Sequence, residues 1–184
     1  MQVRRTFSAS RAWRPTVGAG STRTLGPIVV VMHAIELRVP PPIVALVLAI
    51  AMWFLSRLPA SPEALPVVRL LLVVGLAAAG AAFSLSGVLA FRHAKTTVNP
   101  LKPESSSSLV TTGVYKITRN PMYVGMLFLL FAWAAFLWSV WSLLGPLGFA
   151  AYMGRFQIAP EERVLAGLFG AEYAEYKARV RRWL

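Results

Sequence analysis

From Pro121 to Gly154 the chain runs 34 residues without a charged side chain. As one α-helix this run would measure about 50 Å, well beyond the ~30 Å hydrocarbon core of a bilayer. It therefore has to fold back as a hairpin of two apolar helices. The turn is expected between Trp138 and Pro146, where Ser139, Ser142 and Gly145–Pro146 supply breakers. Trp133, Trp138 and Trp141 would then line one membrane interface. The hairpin returns to its starting face at Arg155.

The rest of the chain agrees with a membrane setting. Of its 184 residues 57% are hydrophobic and only 14% charged, against about 25% charged in soluble domains. There is no cysteine, which excludes disulfides, thiolate metal sites and a cysteine nucleophile. The net charge of +12 fits basic loops facing anionic lipid. No recognisable nucleic-acid-binding fold accompanies it, so no nucleic-acid partner is expected.

The expected fold class is all-α: an integral membrane bundle of about four transmembrane helices with a C-terminal amphipathic helix. The spans fall at about 42–57, 66–91, 121–138 and 141–158. Prolines 40–42 open the first span, and it ends near Arg57. In the second span Arg69 can snorkel from the first turn. Its middle, Gly75–Gly87, consists mostly of small residues suited to close helix packing, within the chain or between chains. The loop 92–120 carries Arg92, His93, Lys95, Lys102, Lys116 and Arg119 against Glu104. By the positive-inside rule this loop is cytoplasmic, with both termini on the same side. The setting expected is a bacterial inner membrane. Residues 1–31 are Arg- and Ser-rich and acid-free. They read as a transit peptide, a disordered extension, or a spurious one upstream of a true start at Met32, leaving 32–184 as one domain.

The tail, 160–182, opens with Pro160-Glu161-Glu162, favoured in a helix first turn. Leu165, Phe169, Tyr173, Tyr176, Val180 and Trp183 recur at helical spacing. That face would lie on the membrane or over the cytoplasmic loop. Arg163, Glu172, Glu175, Lys177, Arg179 and Arg182 fall on the other.

Most catalytic chemistries lack their residues. His33 and His93 have no partner at metal-ligand spacing, and no metal is expected. No phosphate-binding glycine fingerprint or nucleophile elbow occurs. What remains is a pair of polar stretches flanking the hairpin. Arg119 to Tyr123 precedes it, with Asn120 a good N-cap and Pro121 a good first helical residue. Glu161–Glu162 follows it. Closing the hairpin brings both to one membrane face. An arginine there could hold a carboxylate or phosphate, a glutamate could hold ribose hydroxyls or an ammonium, and tyrosines could face a cation. Each residue alone could equally be a positive-inside anchor or a helix-end charge.

The stretch LVTTGVYKITRNPMYVG, then an apolar hairpin, then PEERVLAGLFGAEYAEYKARVRRWL, resembles the isoprenylcysteine carboxyl methyltransferase family and its phospholipid methyltransferase relatives. The resemblance covers 109–184. It implies a membrane enzyme dependent on S-adenosylmethionine that methylates a lipophilic or small acceptor. A phospholipid amine or a thiol is an alternative to a carboxylate, and a non-enzymatic transporter subunit or scaffold is the alternative outside enzymes. Carried over residue by residue, Leu109, Val110, Tyr115, Asn120, Pro121, Met122, Tyr123 and Glu161 would line the cofactor pocket. Arg119 and Glu162 are the catalytic candidates. Asn120 stands where the family often has histidine. It can donate and accept hydrogen bonds but cannot act as a base at neutral pH.

Overall fold

Proline opens three of the α-helices, at positions where a missing N–H costs no internal hydrogen bond. Helix α1 is Pro41–Leu55, α2 is Pro66–His93 and α3 is Pro121–Leu137. A 3-10 turn at Val140–Leu143 leads into α4, Leu144–Tyr152. A π-helical stretch, Met153–Ile158, joins it to α5, Ala159–Arg179. The computed structural model describes residues 36–59, 65–93 and 108–184. The expectations for 1–31, His33, Lys95, Lys102 and Glu104 lie outside the described residues. Among the described residues all regular structure is helical, with one isolated bridge between Thr118 and Arg181.

The principal pairing is α2 against α3, and small residues set it. A Cβ on Gly80 would lie 2.8 Å from the Gly125 carbonyl oxygen, and one on Gly125 would lie 2.7 Å from the Gly80 carbonyl oxygen. Ser84 also abuts Gly125. The small-residue stripe of the second span is thus an interface within the chain. Phe83 and Phe128 stack beside it, with ring centres 5.7 Å apart. Helix α1 completes the bundle against α3 and α4. Its Met52 is fully buried and packs on Gly145, whose missing Cβ makes the room.

The outer turn is tighter than the sequence suggests. Trp138 ends α3 in the left-handed region, with φ 49° and ψ 49°, and Ser139 is extended. Gly145–Pro146 is not the turn but the first turn of α4. Nor is Trp133 a simple interfacial ring. Its indole donates to the Ala49 carbonyl at 3.0 Å, tying α3 to α1. Arg69 donates to the Phe136 carbonyl and lies over its ring, 5.4 Å from the centre. It caps the end of α3.

The span expected at 141–158 is not one helix. It is a 3-10 turn, a nine-residue α-helix and a π turn. The break expected between span and tail is also absent, because α4, the π turn and α5 run on continuously. Pro160 has no N–H to offer the Phe156 carbonyl one turn back, and its ring crowds that group. The wider π turn accommodates it. The tail helix ends at Arg179, short of 182, and bends at Gly170, whose φ of 50° and ψ of −119° only glycine tolerates well. Tyr173 and Tyr176 are buried with Val110 and Tyr115, flanked by Leu165, Phe169 and Val180. Of the two placements left open, the tail face covers the loop before α3.

Among the described residues only α2 is long and apolar enough to cross a membrane. Helices α1 and α3, of 15 and 17 residues, are shorter and apolar. Leu70, Leu71, Val74, Leu85 and Leu89 of α2 and Leu46, Val47 and Phe54 of α1 are exposed. In water such a surface would drive association.

Gly125→Ala is expected to force the two helices apart and cost about 1–3 kcal/mol. Gly75→Ala, with no atom within 4 Å of the added carbon, is expected to leave stability unchanged or slightly raised. Thermal unfolding in detergent compares the two. Equal losses would contradict the packing described.

Candidate functional site

The two ends of the hairpin meet on a carboxylate. Glu162 is buried and accepts from Arg119 Nη2 at 2.8 Å. Arg182 grips it with two bonds, Nη2 to Oε2 at 2.7 Å and Nε to Oε1 at 3.1 Å. Lys177 stands 3.6 Å from Oε2. Burial alone would push this carboxyl up. The hydrogen bonds and charges of Arg182 and Arg119 outweigh burial and hold it below its ordinary value.

Both terminal nitrogens of Arg119 are engaged in this closure. Its Nη1 donates to the Lys177 carbonyl at 3.0 Å and to the Val180 carbonyl at 2.8 Å. Its backbone N–H donates to the Arg181 carbonyl at 3.0 Å. The tail after α5 is extended and lies along residues 118–120. Thr118, fully buried, donates to the Arg182 carbonyl at 3.2 Å. Asn120 takes the N-cap position of α3, but its side chain makes no cap. Its amide donates instead to the Arg182 carbonyl at 2.9 Å.

Beside this ion cluster lies a second carboxyl with the opposite character. Tyr123, one turn into α3, donates to Glu161 Oε2 at 3.2 Å. Gln157, from the π turn, bonds the same phenol. Burial, opposed by the Tyr123 hydrogen bond and assisted by the charge of Glu162, raises Glu161 from 4.5 to about 7. Tyr115 is buried close enough to feel that charge, and burial and Glu161 push its phenol well up. Its ring meets Phe91 edge-on at 5.4 Å, and its carbonyl accepts from the Tyr176 hydroxyl at 2.8 Å. Burial likewise raises Tyr173, to about 12.

The structure thus gathers Tyr115, Tyr123 and Glu161 around one point and Arg119 with Glu162 around another. Leu109 and Val110 pack in the aromatic cluster around Tyr115, Tyr173 and Tyr176. Pro121 and Met122 turn toward α2, where a Cβ on Gly87 would lie 3.3 Å from Pro121 Cγ and 2.9 Å from Met122 Cγ. Two buried polar atoms of the same loop, Ser108 Oγ and Arg119 Nε, have no partner among the described residues. Sequence reasoning missed Gln157, whose signal was a lone amide in an apolar stretch. It also missed the ion-cluster role of Arg182, which helical spacing had placed on a solvated face.

A family model described as phospholipid methyltransferase matches residues 68–172. Two curated relatives are named enzymes. A protein-S-isoprenylcysteine O-methyltransferase of Saccharomyces cerevisiae is 35% identical over 97 residues, covering 48% of this chain and 37% of that protein. Protein-S-isoprenylcysteine O-methyltransferase B of Arabidopsis thaliana is 37% identical over 89 residues, covering 44% of this chain and 41% of that protein. An uncharacterized protein of Haemophilus influenzae is 44% identical over 63 residues, covering 34% of this chain and all of its own length. The chain spans about two-fifths of the length of the two named relatives. No solved structure matches it.

The two neighbouring carboxyls predict opposite pH dependences. Folded protein keeps the Glu161 proton that an unfolded chain releases, so this group's stabilisation fades as pH rises from about 4.5 to about 7. Glu161→Gln is expected to flatten that part of a stability–pH curve. Glu162 behaves conversely: its stabilisation is present above 4.5 and is lost as pH falls through its depressed value. Glu162→Gln is expected to cost about 1–3 kcal/mol near neutrality, less than a fully buried pair because Lys177 and Arg182 keep water. Thermal melts from about pH 2 to pH 8 read both effects.

Proposed function

The chain belongs to the phospholipid methyltransferase family, and from that premise we propose that it is a membrane-embedded enzyme that transfers a methyl group from S-adenosylmethionine to a lipophilic acceptor. The observation that carries this reading is the Tyr123–Glu161 pair, at 3.2 Å, set beside the buried Tyr115. A carboxyl poised near neutrality among aromatic rings is complementary to a cation. In this reading residues 32–184 form one domain crossing a bacterial inner membrane four times: by α1, by α2, by α3, and by α4 with its π turn. Both ends then lie in the cytoplasm.

The residues present suit the cofactor. Glu161, Tyr123 and Tyr115 would face its sulfonium. Ser108 Oγ and Arg119 Nε offer unpartnered polar atoms to its amino-acid or ribose part. Leu109 and Val110 would supply apolar wall, and Asn120, Pro121 and Met122 the backbone that sets Tyr123. The cofactor brings a methyl group already activated on sulfur, so the chain's own task is alignment and exclusion of water. Arg119 and Glu162 act in this reading as positioning residues, since their charged groups are engaged with each other and with the tail.

An acceptor has an apolar approach. A groove of about 300 Å³ is lined by Val124, Leu127, Phe128, Phe131, Trp183 and Leu184. It begins one residue beyond Tyr123 and runs along α3. Trp183 also packs on the core cluster that contains Tyr123, so one ring borders both regions. A carboxylate acceptor is ionised at neutral pH and needs no base, which accords with Asn120 in place of a histidine. An amine acceptor, such as a phospholipid head group, is the second reading. It is favoured by the raised Glu161, which could take its proton.

Purified protein in detergent is expected to melt at higher temperature with S-adenosylmethionine, and Glu161→Gln to weaken the affinity about tenfold, or about 1.4 kcal/mol. Labelled methyl transfer to a membrane extract then separates the acceptors. Alkali-labile label marks a carboxyl ester, and alkali-stable label an amine or a thiol. Absence of any thermal shift with saturating cofactor or its demethylated product would sink the methyltransferase reading.

A further inference from the structure

We infer that the segment Glu36–Val39 is a latch on the π turn, with Glu36 a positioning residue that holds Glu161 toward Tyr123. The inference rests on the proposed role of Glu161. Three contacts of the same short segment converge there. The Leu37 N–H donates to the Phe156 carbonyl at 3.1 Å. That carbonyl is the one an N–H at position 160 would have taken, and Pro160 has none. The Glu36 carboxylate, nearly buried at 10% exposure, bonds Arg155 Nη1 at 2.8 Å through Oε1 and Arg163 Nη2 through Oε2. Those arginines stand on either side of Pro160-Glu161-Glu162 in sequence, so one carboxylate clasps both flanks of the segment. Val39 packs on the core cluster that includes Tyr123 and Ile158.

The latch holds a conformation a helix does not choose unaided. A π turn is rare and concentrates at functional sites. Relaxing it to α geometry would rotate everything after it, including Glu161, relative to α3. Leu37 itself is in the left-handed region, with φ 58°. That conformation is costly for a γ-branched residue and persists only where surrounding contacts enforce it. The ion pairs alone do not explain the arrangement. Arg155 and Arg163 are 42% and 57% exposed, and such pairs add little to stability. Their geometric effect, fixing two points around Glu161, is the larger one.

Full-length protein in detergent tests this with three variants and two readouts, amide exchange of peptides spanning 153–163 and affinity for S-adenosylmethionine. Glu36→Gln is expected to speed exchange in that segment while α2 is unaffected, and to weaken the cofactor about tenfold. Glu36→Asp is expected to recover part of both. Pro160→Ala supplies the missing N–H, competes with Leu37 and lets the π turn relax. It is expected to keep or raise the melting temperature and yet weaken the cofactor, a split that a merely structural role would not produce. Unchanged exchange in Glu36→Gln overturns the latch, as does full cofactor affinity in Pro160→Ala. If wild-type protein binds no cofactor, the methyltransferase reading fails, and the exchange experiment still decides whether the segment holds the π turn.

Discussion

The Glu162 carboxylate, shared between Arg119 and Arg182, is the contact on which the arrangement of this face depends. A carboxylate taken out of water is tolerated only with partners, and removing one partner leaves the others uncompensated. Here the partners come from three places: the loop before α3, the end of α5 and the extended tail. The cluster therefore fixes where α3 begins relative to where α5 begins. Tyr123 lies one helical turn beyond Arg119, and Glu161 adjoins Glu162. Closing the ion cluster therefore brings Glu161 beside Tyr123, and the π turn before it sets how the carboxyl meets the phenol.

Adjacent glutamates then divide their roles by environment. Glu162, ringed by cations, stays ionised. Glu161, turned into a patch of phenols with no cation on it among the described residues, keeps a proton to near neutrality. Titratable neighbours pushed apart in this way mark where a protein separates a structural charge from a reactive one. The sequence Glu-Glu does not say which is which. Each residue is equally apt for a helix first turn, and the bonds from Arg182 and Arg119 decide.

What was legible in the sequence was what depends on pattern. The uncharged run required a hairpin, the Gly–Ala–Ser stretch of α2 announced close packing, and prolines marked helix starts at Pro41, Pro66 and Pro121. The misreadings share a cause: a local signal with two physical outcomes. Pro160 followed by two acids looks like a helix start, yet a helix arriving from α4 passes through it by widening into a π turn. Arg182 falls at helical spacing, yet the chain leaves the helix at Val180 because the bridge to Thr118 competes for its backbone. Asn120 is a capping residue by type, yet its amide finds the Arg182 carbonyl. In the last two cases a partner more than 60 residues away outweighed a preference worth about 1 kcal/mol. The Gly170 bend was visible as part of a motif but not as a bend, since a lone glycine inside a helical pattern is ordinarily tolerated.

The position of Glu161 also bears on turnover under the proposed reaction. A carboxyl titrating near pH 7 has little intrinsic preference for either state, so a small local change in charge decides its protonation. A sulfonium beside it would favour the carboxylate, and the attraction would be strong because the neighbouring groups are aromatic and poorly hydrated. With a neutral sulfur in its place, Glu161 would lack a counter-charge and would favour its protonated form near neutrality, weakening the pocket's electrostatic hold. A glutamate held permanently ionised, as Glu162 is by its arginines, could not discriminate in this way. Under that reaction the separation of the two carboxyls, one locked and one poised, would let the site distinguish a charged cofactor from its neutral product by the protonation of Glu161.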